Sequence, residues 1–480
     1  MTDPFYITTP IFYPNGKLHI GQAYTSTVAD VFARMARMLG KPTYFLTGVD
    51  ENSLKIEKTA AAEGKEIMAF LNEQTSNIQS LFGDLHISYD QYIRTTDPSH
   101  HVGVAEMWTR LQKKGDIYEG EYKGFYCVGC ESFKTEKDLV DGKCPDHGTV
   151  PELISEKNYF FKLSAYTEVI KAKIQSGELE IIPATRKNEI LSALEGGLDD
   201  IPFSRPYKGQ PNAILVPGDP DQSVYVWCDA LTNYISALGF GTSEESLMET
   251  FWPAAVQIMG KDILRFHAVI WPAMLLSAEV ELPKRLLVHG LMLSEGKKMS
   301  KTMGNSIDPL EMIGLVGPEG LRFYFTHDVP LTSDGEITKD LIVASYNAHL
   351  ANGIGNLTNR LLKMMITYDS KFDPESVQNS TLWETHRTAI EGYLKDLDLT
   401  GYASYVWKGF ALIDKEIQET EPFKLFKTDP EKARELVSSM MKKFYTLACF
   451  AEPILPHAVP EIQKCVQNRE MPEKPLFLKI

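Results

Sequence analysis

Three clusters in this 480-residue chain pair residue type with spacing in ways that imply chemistry. The first is Lys17-Leu18-His19-Ile20-Gly21-Gln22, just past an apolar stretch and at the mouth of a helical pattern. A helix N-terminus presents unpaired amides and a positive dipole end, which favour a phosphate. Gly21 lets a flat base or ribose approach the backbone, and His19 can hydrogen-bond or carry charge nearby. Taken alone, the segment reads equally well as a surface turn. The second is Lys298-Met299-Ser300-Lys301-Thr302, flanked by Gly296 and Gly304. Two lysines on a loop that can open and close suit the charge of a leaving pyrophosphate. A solvated basic loop is the commoner fate of such lysines, but the pairing with the first cluster argues against it.

The third cluster is Cys127-Val128-Gly129-Cys130 followed, thirteen residues on, by Cys144-Pro145-Asp146-His147. Two paired-ligand turns offer three thiolates and an imidazole, the donor set of a closed tetrahedral zinc site. One structural Zn2+ per chain is expected on Cys127, Cys130, Cys144 and His147. A redox reading of the Cys-x-x-Cys lacks a surrounding βαβ pattern. With four ligand positions filled, the metal is not expected to activate water. It would staple a knuckle too short to bury its own core.

Regular elements must position these clusters. Residues 4–12 read as a buried strand, and about Ile20 to Leu39 as a helix with Val28, Val31, Phe32, Met35 and Leu39 on one face. KPTYFLTG (41–48) reads as a second strand and Thr59 to Phe82 as one helix. Strand, helix, strand, helix implies a parallel sheet with right-handed crossovers, whose strand ends near residues 10 and 48 share an edge. From about Gly115 to Lys208 the pattern breaks into short β-prone pieces around the cysteines. It resumes with SVYVWCDALTNYISALGF and continues to RLLVHGLML. After about residue 340 helical patterns dominate.

Composition bounds the class. Hydrophobic residues are 43% and charged residues 24%, which excludes wholesale disorder. The formal net charge of −15 argues against a non-specific nucleic-acid coat protein, though not against a local basic face. Six cysteines are too few for a disulfide scaffold. The opening residues lack a basic region followed by an apolar one, and the longest apolar run, 268–278, is too short for a bilayer. A cytoplasmic protein without membrane association is expected.

The His-Ile-Gly-Gln turn and the Lys-Met-Ser-Lys-Thr loop resemble the paired signatures of the class I aminoacyl-tRNA synthetases, which read His-Ile-Gly-His and Lys-Met-Ser-Lys-Ser. The resemblance implies ATP, an amino acid and tRNA as substrates, with Mg2+ accompanying ATP. It places His19 and Gly21 on ATP and Lys298 and Lys301 on its phosphates, with Lys301 mattering more to the transition state. Gln22 departs from the family's second histidine, because an amide donates a hydrogen bond but does not become cationic.

The resemblance is to the methionine-activating members and spans nearly the whole chain. It implies activation of L-methionine to methionyl adenylate, then transfer to the 3′-terminal adenosine of tRNA(Met). The opening ITTPIFYPNGKLHIG matches the family's first strand and loop, with Pro10, Ile11 and Tyr13 as one wall of the methionine pocket. In TGVDE, Asp50 would hold the substrate ammonium; a turn or N-cap role is the ordinary alternative. The family continues with Glu-His-Gly where this chain has Glu51-Asn52-Ser53, so nothing is carried over there. VYVWCDALTNY matches the pocket segment, with Trp227, Ala230, Leu231 and Tyr234 at spacings that share a helix face. Aromatic walls suit a polarizable thioether. In MGKDILRFHAVIWP, Ile263 and His267 would complete the pocket and Lys261 and Asp262 would face the ATP ribose. The span 115–208 is too short for the editing domain that the leucine, isoleucine and valine enzymes insert.

Asn352, Asn356 and Arg360 fall at i, i+4 and i+8, one helical face suited to reading unpaired anticodon bases. The family stacks an aromatic on such a base; that residue would be Phe423, where Trp is frequent. A solvated face and bundle core are the ordinary alternatives. The expected architecture is an α/β Rossmann-like parallel-sheet catalytic domain split by a zinc-knuckle insertion, followed by an all-α anticodon-binding bundle. Its boundaries are 1–114 and 223–290 for the catalytic halves, 115–222 for the insertion, 291–344 for a stem-contact region and 345–480 for the bundle. A monomer is expected by family analogy. The rival readings are a synthetase for another amino acid and a tRNA-binding relative that has lost catalysis.

Overall fold

The computed structural model describes residues 3–128, 132–134, 136–145, 148–243, 246–294, 296–299 and 307–480. The chain folds as two compact units. The first comprises 1–17, 43–80 and 89–289, and the second 18–42, 81–88 and 290–480.

In the first unit the strands are β1 (Phe5–Thr8), β2 (Thr43–Val49), β3 (Gln91–Arg94), β4 (Ile117–Cys127), β5 (Ser132–Lys134), β6 (Glu152–Phe161), β7 (Glu180–Ile182), β8 (Ile201–Pro202), β9 (Ser204–Pro206), β10 (Leu215–Val216), β11 (Asp219–Val224), β12 (Ala255–Gly260) and β13 (Arg285–His289). Among the described residues, one sheet runs β3-β2-β1-β12-β13-β7, with every pair parallel. All four β1 residues and all six β12 residues are buried. Strands covered on both faces read as apolar runs rather than alternations, which is why FYIT and AVQIM carry few polar residues. Thr8 pairs with Leu46 on one side and Gln257 on the other, so β1, β2 and β12 end at one edge. In open parallel sheets, ligands bind beyond the carboxyl ends of the strands.

Two expectations need correction. The helix expected from Thr59 to Phe82 is two helices, Leu54–Ala62 and Ile67–Asp84. Gly64, at φ +65°, ends the first in a left-handed turn closed by Lys65 N–H to the Ala60 carbonyl, 3.0 Å. Glu66 starts the second by accepting from the Met68 and Ala69 amides at 3.0 and 2.8 Å. Nor is the region around the cysteines wholly an insertion. β4, β5, β6 and β8 form a separate antiparallel sheet, but β7 returns to the main sheet as its edge strand beside β13. Three residues are too few to show a strand period in sequence.

The second unit holds the helix Ile20–Met38, and its later part is mostly helical, from Pro309–His327 to Ala458–Asn468. A small sheet joins Met292–Ser294, Lys297–Lys298 and Gly335–Glu336. Tyr24 meets Phe325 edge-on at 5.5 Å. Beside them Arg322 is fully buried, and its Nη2 lies 2.7 Å from the Asp30 carboxylate. It also donates to the carbonyls of Leu85, Pro453 and Ile454 at 3.1, 2.6 and 3.1 Å. Burial alone would raise the Asp30 carboxyl, but Arg322, Arg34 and the Ser88 hydrogen bonds outweigh it and hold it below its ordinary range. One guanidinium thus fastens the helix Ile20–Met38, the segment before β3 and the C-terminal helices of this unit.

Removing one partner of a buried ion pair strands the other charge and costs about 3–5 kcal/mol. We therefore expect Arg322→Leu to lower the thermal midpoint by several degrees. A variant that melts with the wild type would show that the carbonyl cluster and Asp30 are satisfied without the guanidinium.

Candidate functional site

His19 is the N-cap of the helix Ile20–Met38, with extended backbone at φ −95°, ψ 168°. Its Nδ1 accepts from the Gly21 amide at 3.1 Å, and Gln22 Oε1 accepts from the His19 amide at 3.0 Å. The pair forms a reciprocal capping box in which His19 takes the place usual for Ser or Thr. Gln22 therefore has a structural task at the helix start, one that a neutral amide performs well. A Cβ on Gly21 would lie 3.1 Å from the His19 ring, so a larger residue would push the imidazole away. The first turn contains no acidic residue, so the helix itself supplies no negative side chain against its positive end.

The second cluster begins as a hairpin in which Ser294 pairs with Lys297 and Leu293 with Lys298. The Glu336 carboxylate accepts from the Gly296 amide at 3.2 Å. The Lys298 side chain, Lys301 and Thr302 lie outside the described residues. So do Cys130 and His147 of the third cluster. Of its other two members, Cys127 ends β4 and both Cys127 and Cys144 are buried. Around them Val140, Val150 and Leu153 are 61%, 70% and 76% exposed, so apolar burial does little to hold this knuckle. Buried thiols beside such exposed apolar side chains suit a metal staple.

Most of the remaining expected residues of the first unit lie beyond the strand ends, but Tyr13 packs against a separate cluster of Ile56, Ala60, Phe70 and Leu71. Asp50 follows β2 and is buried; its amide donates to the Phe12 carbonyl at 3.0 Å, which holds the Pro10–Tyr13 segment alongside. Its Oδ1 accepts from the Asn52 amide at 3.0 Å. The expected pocket helix spans Val226–Ser236, with Ala230, Leu231 and Tyr234 buried and Trp227 half-buried. Ile11, Trp227, Ile263 and Phe266 pack partly buried against one core that includes Leu231 and Tyr234. Lys261–Ile263 form a 3₁₀ turn directly after β12, with Asp262 exposed.

His267 is fully buried, and its Nδ1 lies 3.0 Å from the Ile263 carbonyl while its Nε2 lies 2.7 Å from the Tyr234 hydroxyl. A carbonyl only accepts, which assigns the proton to Nδ1 and makes Tyr234 the donor to Nε2. Burial pushes this imidazole down to about 4, and the Ile263 and Asp262 oxygens only partly oppose the shift. Trp227 stacks on Phe266 with ring centroids 3.6 Å apart and planes 8° from parallel. The wall is aromatic and uncharged.

Several residues here were not anticipated. Asp229, buried on the same helix, accepts from Asn52 Nδ2 at 2.7 Å and from His100 Nε2 at 2.6 Å. His100 Nδ1 in turn meets the Ser236 hydroxyl at 2.7 Å. Glu51, also buried, accepts from Arg94 Nε and Nη2 at 2.9 and 2.7 Å, and Asn212 donates to its carbonyl at 2.6 Å. Residues 50–52 are thus gripped from four sides, and Asn52 is the direct link to the helix Val226–Ser236. Phe266 was the neighbour of an anticipated residue, but its pairing with Trp227 had no signal in spacing. Beside Asn52 a small groove of about 70 Å3 is lined by Glu57, Tyr126, Arg205, Lys208, Gln210 and Val226.

In the second unit the expected Asn352, Asn356 and Arg360 stripe needs correction. Residues Tyr346–Gly355 form a wide π-helical stretch broken at Gly353, and a regular helix starts at Asn356. The four-residue period therefore holds for Asn356 and Arg360 but not across Gly353 to Asn352. Arg360 pairs with the Asp414 carboxylate. Phe423 is 47% exposed, so it is not bundle core.

The lowered His267 pKa has a testable sign. The unfolded chain takes up a proton near 6.5, whereas the folded one resists until about 4. This group's contribution is complete above 6.5 and declines as pH falls from 6.5 toward 4. Imidazole NMR is expected to show His267 neutral at pH 5.5; an ordinary titration near 6.5 would contradict the assigned tautomer and burial.

Comparison with known proteins identifies the family to which this fold belongs. The family model for "tRNA synthetases class I (M)" matches residues 5–150 and 138–362. A methionine–tRNA ligase of Caldanaerobacter subterraneus subsp. tengcongensis is 38% identical over 466 residues, covering 95% of this chain and 73% of that protein. One from Clostridium tetani is 40% identical over 438 residues, covering 90% and 68%. The structure of Mycobacterium tuberculosis methionyl-tRNA synthetase in complex with methionyl-adenylate superposes with a TM-score of 0.90 at 34% identity, covering 99% of this chain and 95% of that one. The chain belongs to the class I tRNA synthetases, in the methionine–tRNA ligase family.

Proposed function

We propose that this chain activates L-methionine with ATP and then esterifies the 3′-terminal adenosine of tRNA(Met), working in the cytoplasm. The observation that carries the reading is the Asp229 carboxylate. It ties the Asp50–Asn52 loop to the helix bearing Trp227, Ala230, Leu231 and Tyr234, so that an anionic anchor and an aromatic wall belong to one rigid arrangement. An α-amino acid with an apolar, polarizable side chain needs that combination. The M. tuberculosis structure described above contains methionyl-adenylate, the intermediate of this chemistry.

In the first step a methionine carboxylate oxygen attacks the α-phosphorus of Mg-ATP. The bond to the bridging oxygen breaks and pyrophosphate leaves. In the second, a ribose hydroxyl of the terminal adenosine attacks the acyl carbon and AMP leaves. No covalent enzyme intermediate is required, and the chain contributes position and charge. Asp50 would hold the substrate ammonium, while Pro10, Ile11, Tyr13, Ile263 and the Tyr234–His267 pair would enclose the side chain. A neutral His267 leaves the wall without a charge that would favour an acidic side chain over a thioether. His19, Gly21, Lys261 and Asp262 would bind ATP, and Lys298 and Lys301 would neutralise the departing pyrophosphate.

Cys127, Cys130, Cys144 and His147 would hold one zinc ion, which would supply folding energy to the 115–222 region and take no part in the reaction. Asn356 and Arg360, with Asn352 and Phe423, would meet the anticodon. The exposure of Phe423 supports a stacking role.

Two experiments test the reading. Methionine-dependent ATP–pyrophosphate exchange is expected, and Lys301→Ala should keep methionine binding while losing most of that exchange. Exchange driven by a different amino acid, or equal exchange in the variant, would overturn the assignment. Asp229→Asn turns one acceptor into a donor facing a donor, removing about 1–3 kcal/mol of hydrogen bonding. It should raise the methionine KM about tenfold and leave the ATP KM unchanged. A variant with unaltered methionine KM would remove Asp229 from the positioning role.

A further inference from the structure

The helix Pro309–His327 ends in His327, and Asp328 follows as its C-cap. His349 belongs to the π-helical stretch Tyr346–Gly355. One ligand atom from each of His327, Asp328 and His349 lies within 4.8 Å of the other two. The His327 and His349 rings have centroids 4.8 Å apart, and His327 Nδ1 sits 2.9 Å from Asp328 Oδ1. None of these groups is used by the reaction described above.

Two further features distinguish this cluster from an ordinary helix-end ion pair. First, each ligand residue is held from outside. The Ser345 hydroxyl donates to Asp328 Oδ2, leaving Oδ1 for the cluster. Phe323 stacks on His327 at 4.8 Å and 22°, and Trp407 packs on Phe323 at 4.5 Å. Trp407 Nε1 also donates to the His349 carbonyl at 3.4 Å. Outer-shell hydrogen bonds and an apolar floor are what fix metal-ligating side chains. Second, His349 lies on widened helix, an uncommon conformation found disproportionately at functional sites.

We propose that His327, Asp328 and His349 form a divalent-metal site of the two-imidazole, one-carboxylate type, which clamps the end of one helix to the widened stretch of the next. Tetrahedral coordination at about 2.0–2.1 Å requires ligand atoms about 3.3 Å apart. Small side-chain rotations therefore close the set. Imidazole and carboxylate donors suit zinc, cobalt and nickel ions better than magnesium or calcium. Three protein ligands would leave a fourth tetrahedral position for water.

The test uses the full chain, stripped with a chelator and titrated with Co2+. The wild type is expected to bind one equivalent more than His327→Ala/His349→Ala. That additional cobalt should show d–d absorption without thiolate charge transfer, which separates it from the cysteine cluster. Zn2+ should also raise the wild-type melting temperature more than that of the double variant. If the double variant misfolds, Ser345→Ala keeps all three ligands and should weaken the thiolate-free site about 10–100-fold. Equal cobalt stoichiometry in folded wild type and double variant would overturn the proposal, as would absence of a thiolate-free cobalt band in the wild type. Undiminished affinity in Ser345→Ala would also overturn the proposed support of Asp328.

Discussion

The geometry of the first unit depends on one buried carboxylate. Asp229 faces His100 and Asn52 with no exposure to water, and each oxygen takes a different donor. A buried carboxylate left short of donors is severely disfavoured, so the arrangement that satisfies it excludes nearby alternatives. Satisfying it fixes the distance between the loop after β2 and the helix Val226–Ser236. The Glu51 carboxylate repeats the device one residue before Asn52, with Arg94, Thr75 and Thr96 as donors. Asp50 directly precedes these two clamped residues and is tied by its own amide to the Phe12 carbonyl, so its position follows from hydrogen bonds on either side.

The aromatic side of the site is arranged by different means. Phe266–Ile270 form a π-helical turn, and the helix continues from Trp271. The wide turn places Phe266 flat against Trp227 while His267 faces Tyr234. Each polar atom of that buried pair has one partner of the right sense: the Ile263 carbonyl takes the imidazole proton, and the phenol proton goes to Nε2. The result is a polar pair without net charge inside an apolar wall, in contrast to the charged clamp around Asp50.

In the second unit the turn at His19 and the stretch around His349 are both departures from regular helix. At the first, the imidazole and the Gln22 amide cap each other's backbone groups, so the start of the helix is rigid without an acidic residue. At the second, a break at Gly353 resets the helical phase. The capping box explains how an amide fits where a second histidine was expected, since its contribution here is acceptance of a backbone hydrogen bond.

Much of the chemistry was legible in the sequence because it resides in local patterns. The apolar runs of β1 and β12, the helix Val226–Ser236 and the His-Ile-Gly-Gln helix start depend on neighbours within a turn or a strand. Their types and spacing therefore determine them. What only the tertiary structure decided involves partners far apart in the chain. His100 and Asp229 are 129 positions apart, and neither carries a periodic signal. The edge strand β7 is too short to announce itself, and the breaks at Gly64 and Gly353 hinge on backbone torsions that a hydrophobic pattern does not encode. Local propensity determines which elements form. Hydrogen bonds between distant segments, closed only when water is excluded, decide how the site's residues are held.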